Sequence, residues 1–312
     1  MFSPSTHTAA AELDRAYDHC QQVAKERAKN FYYAFRTLPL RKRRAIYAAY
    51  AICRLWDDIA DDDAPLAEKR RMFADTRRTL TETLSRQSDQ PSGDCWLRLP
   101  PEFIALSDAT SAFGIPVRYF NEILEGVESD LVKARFSDFA ELRSYCYKVA
   151  SVVGLICIEV FGYDDPSAEG YAVDMGIALQ LTNILRDLNE DAERDRIYIP
   201  QDEMAEFGYT EEDLKNQVVN EPFRSLMKYQ VERARSYYER SRPLFGMVEL
   251  ESRTCLRVLH EAYSAILDRI EQSGFDVFSQ RIGLSASEKL LITARLWISS
   301  AALGIPVVRR LL

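Results

Sequence analysis

Residues 180–200 read QLTNILRDLNEDAERDRIYIP, which sets Asp187 and Asp191 four positions apart. In an α-helix, residues i and i+4 lie one above the other, about 6 Å apart along the axis. Asn183, Asp187 and Asp191 therefore share a face, with Gln180 one turn earlier on nearly the same face. A second pair, Asp57 and Asp61, sits in RLWDDIAD at 54–61. Like charges at this spacing destabilise an isolated helix by about 0.2–0.5 kcal/mol per pair. One such pair alone reads as a solvated acidic face, as do Asp62 and Asp63. Two pairs in apolar settings (IYAAYAICRLW, 46–56; GIALQLTNIL, 176–185), with Arg54 and Arg186 beside them, point instead to a cation between facing helices. Magnesium takes oxygen ligands and is commonly shared between a few carboxylates and substrate phosphates. The two stretches together predict a diphosphate–Mg²⁺ clamp.

Outward from these stretches the pattern is helical almost throughout. Helices are expected over 11–28, 40–61, 66–86, 103–113, 116–132, 139–161, 168–189 (running on through Asp191), 222–242, 251–272 and 285–312. Residues 30–38 are aromatic-rich and stop at Pro39. Residues 87–101, QSDQPSGDCWLRLPP, are the clearest loop, and Asp195–Pro200 leaves the second acidic stretch as an extended segment. The basic RKRR at 41–44 reads as a solvated face. The 139–161 segment is apolar nearly all round and is therefore expected to be buried. Its Ser151 and Gly154 leave room for a long apolar ligand. With no repeat and no strand alternation, the expectation is an all-α, single-domain helical bundle of about a dozen helices. It has a disordered lead at 1–10, a catalytic body at 11–284 and an apolar C-terminal helix at 285–312.

Composition bounds the function. The 312 residues are 47% hydrophobic with a formal charge of −8, which argues against a nucleic-acid surface. Cys20, Cys53, Cys95, Cys146, Cys157 and Cys255 form no CxxC pair and read as thiols of a reducing compartment. The N-terminus shows no basic region followed by an apolar run, so the cytoplasm is expected. Residues 296–308, LWISSAALGIPVV, carry no charge and precede Arg309-Arg310. They are too few to span a bilayer, which takes about 20. A docked terminal helix and a peripheral membrane contact both fit them.

At NFYYAF (30–35), YAICRLWDDIAD (50–61), YCYKVASVVG (145–154) and QLTNILRDLNEDAERDRIYIP, the chain resembles the squalene/phytoene synthase family of head-to-head prenyltransferases. The resemblance runs over roughly residues 17–285. It implies an all-helical fold around a central cavity. It implies that Asp57, Asp61, Asp187 and Asp191 hold Mg²⁺, with Mn²⁺ as a substitute, and that Asp58 stands beside them. Gln180 and Asn183 would bind diphosphate or metal-bound water, and Arg54, Arg186 and Arg196 would neutralise it. Tyr50, Tyr145, Tyr198 and Tyr263 match tyrosine positions near the reacting ends. Phe31, Phe35, Val149, Ala150 and Gly154 would line the isoprenoid tunnel. Asn30, where the family often has Ser, and the bulky Trp56 depart from the pattern.

The implied activity is Mg²⁺-dependent condensation of two farnesyl diphosphates to presqualene diphosphate, on to squalene if NADPH is used. The same-class alternative is phytoene synthase, joining two geranylgeranyl diphosphates. A non-catalytic assembly-factor relative would have lost the Asp motifs, which are intact here. Head-to-tail elongation would show two DDxxD motifs; DDIAD fits that form and DLNED does not. Partners would be prenyl diphosphates and downstream isoprenoid enzymes. No GxGxxG follows a predicted strand, so no nicotinamide domain is expected.

Overall fold

The computed structural model describes residues 6–28, 31–85 and 99–302. The helices are α1 Thr6–Arg27, α2 Phe31–Phe35, α3 Leu40–Asp61, α4 Leu66–Ser85, α5 Pro101–Phe113, α6 Val117–Ser129, α7 Phe139–Cys146 and α8 Val152–Phe161. They continue as α9 Ala168–Arg186, α10 Leu188–Glu193, α11 Gln201–Glu206, α12 Glu211–Lys215, α13 Glu221–Ser241, α14 Leu244–Met247, α15 Arg253–Gln272 and α16 Ala286–Ala302. Among the described residues β-structure is confined to two isolated bridges, so the fold is all-α. Asn30, Cys95, most of the 87–101 loop and residues 303–312 lie outside the described residues. So does the start of the expected lead, whose second half is already helical in α1.

α3 and α9 organise the core. Pro39 starts α3, where its missing N–H costs nothing. Small residues (Ala45, Ala48, Ala49, Ala51) let α1, α5, α6 and α8 approach it closely. Trp56 is fully buried and its indole donates to Thr76 on α4 at 3.2 Å, so this departure packs away from the cavity. α9 packs on α13, α8 and α15.

The expected unbroken helix over 139–161 is divided by a π-helical turn, Tyr147–Ser151, between α7 and α8. This segment is long and apolar enough to cross a membrane, yet it lies inside the bundle against α6 and α9. Gly176 causes the close fit, since a Cβ there would overlap the Ser151 backbone. Ser151 Oγ donates to Val173 O at 2.8 Å across the same contact. Such π turns often mark functional positions, and this one presents Val149 and Ala150.

The basic start of α3 corrects an expectation. Lys42 is 8% exposed and its ammonium donates to Phe161 O at 2.8 Å, Ser252 Oγ at 3.3 Å and the Glu249 carboxylate at 2.5 Å. Glu251 is 2.9 Å away. The residue ties the start of α3 to the end of α8 and is no solvated charge.

Candidate active site

The end of α3 and the end of α9 carry the two acidic pairs. Asp187 leaves helical dihedrals (φ −102°, ψ 15°) and divides the expected helix into α9 and α10. The hydrogen bonds Asp187 N to Asn183 O and Asp191 N to Asp187 O, both 2.9 Å, nonetheless keep the i, i+4 stack intact. Arg186 clamps Asp187 with two bonds, 2.8 and 2.5 Å. Asp61 is held by Arg194 at 3.0 Å and Arg196 at 3.1 Å, which ties the two acidic stretches together. Arg54 pairs with Asp58.

Asp57 and Asp191 differ from the rest. Neither carboxylate has a hydrogen-bond or ion-pair partner among the described residues. Burial raises both to about 7. For Asp57, Arg54 opposes the shift while Asp61 and Asp130 add to it. For Asp191, Asp187 adds to it and Arg196 opposes it. Nearby, Arg54 Nε and Asn183 Oδ1 are buried without partners. Unmatched carboxylates, with a guanidinium N–H and an amide oxygen nearby, fit a divalent cation shared with an anionic ligand. Among the described residues no three His, Cys, Asp or Glu side chains converge on one point. That suits an ion that keeps waters and substrate oxygens rather than one enclosed in a protein cage.

A cavity of about 640 Å³ lies beside these groups, lined by Phe31, Tyr50, Arg54, Asn183, Arg186 and Tyr263 among others and by none of the four aspartates. Arg27, Arg281 and Lys289 also line it, a set of cations that sequence spacing did not reveal. Phe31 stacks on Phe35 (6.0 Å) and lies 5.3 Å from the Tyr263 ring. Phe35 itself is 5% exposed and packs behind, on Tyr47 and Tyr50. Val149, Ala150 and Gln180 are half-buried. At Gly154 a Cβ would stand 3.0 Å from Ala172 O, so its missing side chain also serves helix contact with α9.

On the other side stands Asp130, just after α6, which sequence reading missed. Tyr145 donates to it at 2.9 Å and Tyr198 at 3.4 Å, and the two hydroxyls are 3.5 Å apart. Burial lifts Asp130 to about 6, against Arg196 and the two phenols, which lower it. Burial, then the adjacent carboxylate, raises both phenols, so they remain protonated. Phe136 packs under both rings at 5.2 and 5.6 Å. Tyr198 reaches the site because Ile197 N bonds to Ala134 O at 2.9 Å. Asp195 turns the chain there in the left-handed region (φ 57°), with Arg135 and Lys215 each 2.8 Å from its carboxylate. Asp tolerates that conformation better than most residues.

The family model for squalene/phytoene synthase matches residues 24–288. The chain belongs to the squalene/phytoene synthase family. It is a prenyltransferase of the head-to-head type. It is 35% identical over 296 residues to a 15-cis-phytoene synthase of Synechococcus elongatus, covering 90% of this chain and 92% of that protein. It is 37% identical over 289 residues to chloroplastic phytoene synthase 1 of Zea mays, covering 89% of this chain and 67% of that protein. Among solved structures, a dehydrosqualene synthase in complex with ligand superposes with a TM-score of 0.80 at 26% identity, covering 94% of this chain and 99% of that one. A squalene synthase of Alicyclobacillus acidocaldarius gives 0.76 at 24% identity, covering 85% and 97%, a likeness of fold.

Proposed function

We propose that the protein joins two geranylgeranyl diphosphates head to head, as a phytoene synthase. The observation that carries this reading is the identity of 35–37% to phytoene synthases across about nine-tenths of the chain. The farnesyl reading expected from sequence has less support, since it rests on the dehydrosqualene synthase likeness at 26% identity.

In this reading Asp57, Asp61, Asp187 and Asp191 hold Mg²⁺, which when bound polarises the diphosphate oxygens and stabilises charge on the leaving group. Arg54 and Arg186, with Arg281 and Lys289, bind diphosphate in the cavity. Asn183 and Gln180 orient it. As the allylic C–O bond breaks, these fixed cations face the developing negative charge without reorganising, which is where electrostatic catalysis gains most. Phe31 and Tyr263 present ring faces to the allylic cation. Apolar walls exclude water that would quench it. To Tyr145 and Tyr198, held as a pair by Asp130, this reading assigns the proton lost during cyclopropane closure, with Asp130 as its final acceptor. This branch needs no NADPH.

The test is product analysis after incubation with each prenyl diphosphate and Mg²⁺, with no reductant. A C40 hydrocarbon from geranylgeranyl diphosphate supports the reading. Turnover of farnesyl diphosphate alone overturns it in favour of the presqualene branch.

A further inference from the structure

The four aspartates assigned to the cation are not equally free. Asp57 and Asp191 have no hydrogen-bond or ion-pair partner among the described residues. Asp187 is held by Arg186, while Arg281 lies 3.9 Å away and has a second partner in Glu190 at 3.1 Å. Asp61 has both oxygens taken: Arg194 Nη1 lies 3.0 Å from Oδ2 and Arg196 Nη1 lies 3.1 Å from Oδ1. A divalent cation on Asp61 would stand close to two guanidiniums, and like charges at such range repel strongly. The cation therefore binds Asp61 fully only when one arginine leaves.

Which arginine leaves follows from how each is held. Arg196 is 16% exposed. Its N–H bonds to Asp191 O at 2.8 Å, and the next residue is fixed by Ile197 N to Ala134 O at 2.9 Å. Against the burial that lifts Asp130, the charge of Arg196 pulls that carboxyl down, so Arg196 keeps a second anion. Arg194 is 56% exposed, and among the described residues its guanidinium has no hydrogen-bond or ion-pair partner besides Asp61. An exposed pair of this kind is weak. Arg194 stands at the C-cap of α10, three residues after Asp191. It also lines a second cleft, of about 310 Å³, with Lys69, Asp130, Asp195 and Arg196. This cleft shares no lining residue with the 640 Å³ cavity and gives the side chain room to turn away from Asp61.

We propose that Arg194 is a latch on the cation site: it occupies Asp61 until a divalent cation displaces it, and then swings into the 310 Å³ cleft. Arg194 is a positioning residue in this scheme, because it acts through Asp61. It ties the end of α3 to the end of α10, and loading of Asp61 unties them. The apparent affinity for the cation is reduced by the fraction of molecules in which Asp61 is free. The inference rests on the reading of Asp61 as a cation ligand.

The experiment measures Mn²⁺ binding to the full chain by electron paramagnetic resonance of the free ion, at physiological salt and with no diphosphate. Wild type is compared with Arg194→Gln, Asp61→Asn, the double variant Arg194→Gln/Asp61→Asn, and Lys69→Gln. Lys69 lines the same cleft but donates to Ala60 O at 3.0 Å and does not pair with Asp61. Arg194→Gln should bind at least about threefold more tightly than wild type, the upper scale of an exposed ion pair. Asp61→Asn should bind more weakly, and adding Arg194→Gln to it should change nothing further, since the contest is for that carboxylate. Lys69→Gln should stay within about twofold of wild type, because a charge that is not in contact is screened. Equal, weaker or undetectable binding by Arg194→Gln overturns the latch. So does tightening that persists in the Asp61→Asn background or is matched by Lys69→Gln, since either is a general effect of charge. Undiminished binding by Asp61→Asn is a different failure: it removes Asp61 from the cation site, and the latch with it. Should Asp61→Asn fail to fold, Arg194→Gln against Lys69→Gln decides, with tightening in the first alone supporting the latch and equal binding overturning it.

Discussion

The two ends of α3 treat charge in opposite ways. Near its start, Lys42 is buried with every donor matched, to a backbone carbonyl, a serine and the carboxylates of Glu249 and Glu251. About 22 Å further along the helix, Asp57 is half-buried with no partner among the described residues, and Arg54 Nε beside it is buried without a partner. A buried polar group left unmatched costs free energy, so native structures keep such groups mainly where a ligand will match them. The matched end holds the fold; the unmatched end is the one we propose for chemistry.

Substitutions at the two ends should therefore separate stability from turnover. Asp57→Asn should lower turnover about 10³-fold, because an interaction worth several kcal/mol in the transition state is lost. Its helical circular dichroism should be unchanged. Near-normal rates at ordinary Mg²⁺ would break the contrast. Lys42→Met should do the reverse. It leaves a buried carbonyl and serine without their donor, beside two part-exposed carboxylates, costing about 1–3 kcal/mol, while kcat of the folded protein stays near wild type. A fall in kcat without a fall in Tm would place Lys42 in the chemistry.

Smaller effects sharpen the picture. Asp130→Asn should reduce kcat about 10²-fold, the usual scale for a proton acceptor. The wild-type acid limb, from a carboxylate lifted to about 6, should disappear with it. A pH profile that keeps that limb would show that Asp130 only packs. Gly154→Ala should cost about 1 kcal/mol, because a Cβ 3.0 Å from Ala172 O forces α8 from α9. Its effect on activity should be the same for C15 and C20 substrates. A selective penalty on the longer one would return Gly154 to the tunnel wall.

The pH dependence of stability has a definite sign. Asp57 and Asp191 rise from near 4 in the unfolded chain to about 7 when folded. The folded state then binds more protons than the unfolded state between these values. The contribution of both groups to stability is thus present below about pH 4 and is lost as pH rises to about 7. Metal-free protein should melt lower at pH 8 than at pH 5.5 on their account, and Mg²⁺ with inorganic diphosphate should restore the difference.

The long helices and both acidic pairs were legible in sequence because they are written in local spacing, whereas the short α11, α12 and α14 were not. The 3.6-residue period gave α3, α9, α13 and α15, and the i, i+4 rule gave the shared faces. What the sequence hid is tertiary. Asp130 is a lone acid after α6 and gains meaning only when Tyr145 and Tyr198 fold onto it. Arg281 and Lys289 follow α15 with no motif around them. Lys42 looked solvated because a basic run resembles a surface; only the carbonyl end of α8 and two distant glutamates reveal its burial. Gly154 was read as space for a ligand; its close approach to the Ala172 carbonyl of α9 is a packing role that spacing did not show. The break at Asp187 and the π turn answer to packing, which local propensity does not encode.

The unmatched carboxylates Asp57 and Asp191 are, on this proposal, held for a cation and its diphosphate. Calorimetric titration of Mg²⁺ with inorganic diphosphate into wild type, Asp57→Asn and Asp191→Asn tests it most directly. Saturable binding to wild type is expected, at least about tenfold weaker in each variant, with metal-free Tm equal or higher in the variants at pH 8. Undiminished binding in both variants, or a metal-free Tm that falls in them, would contradict it.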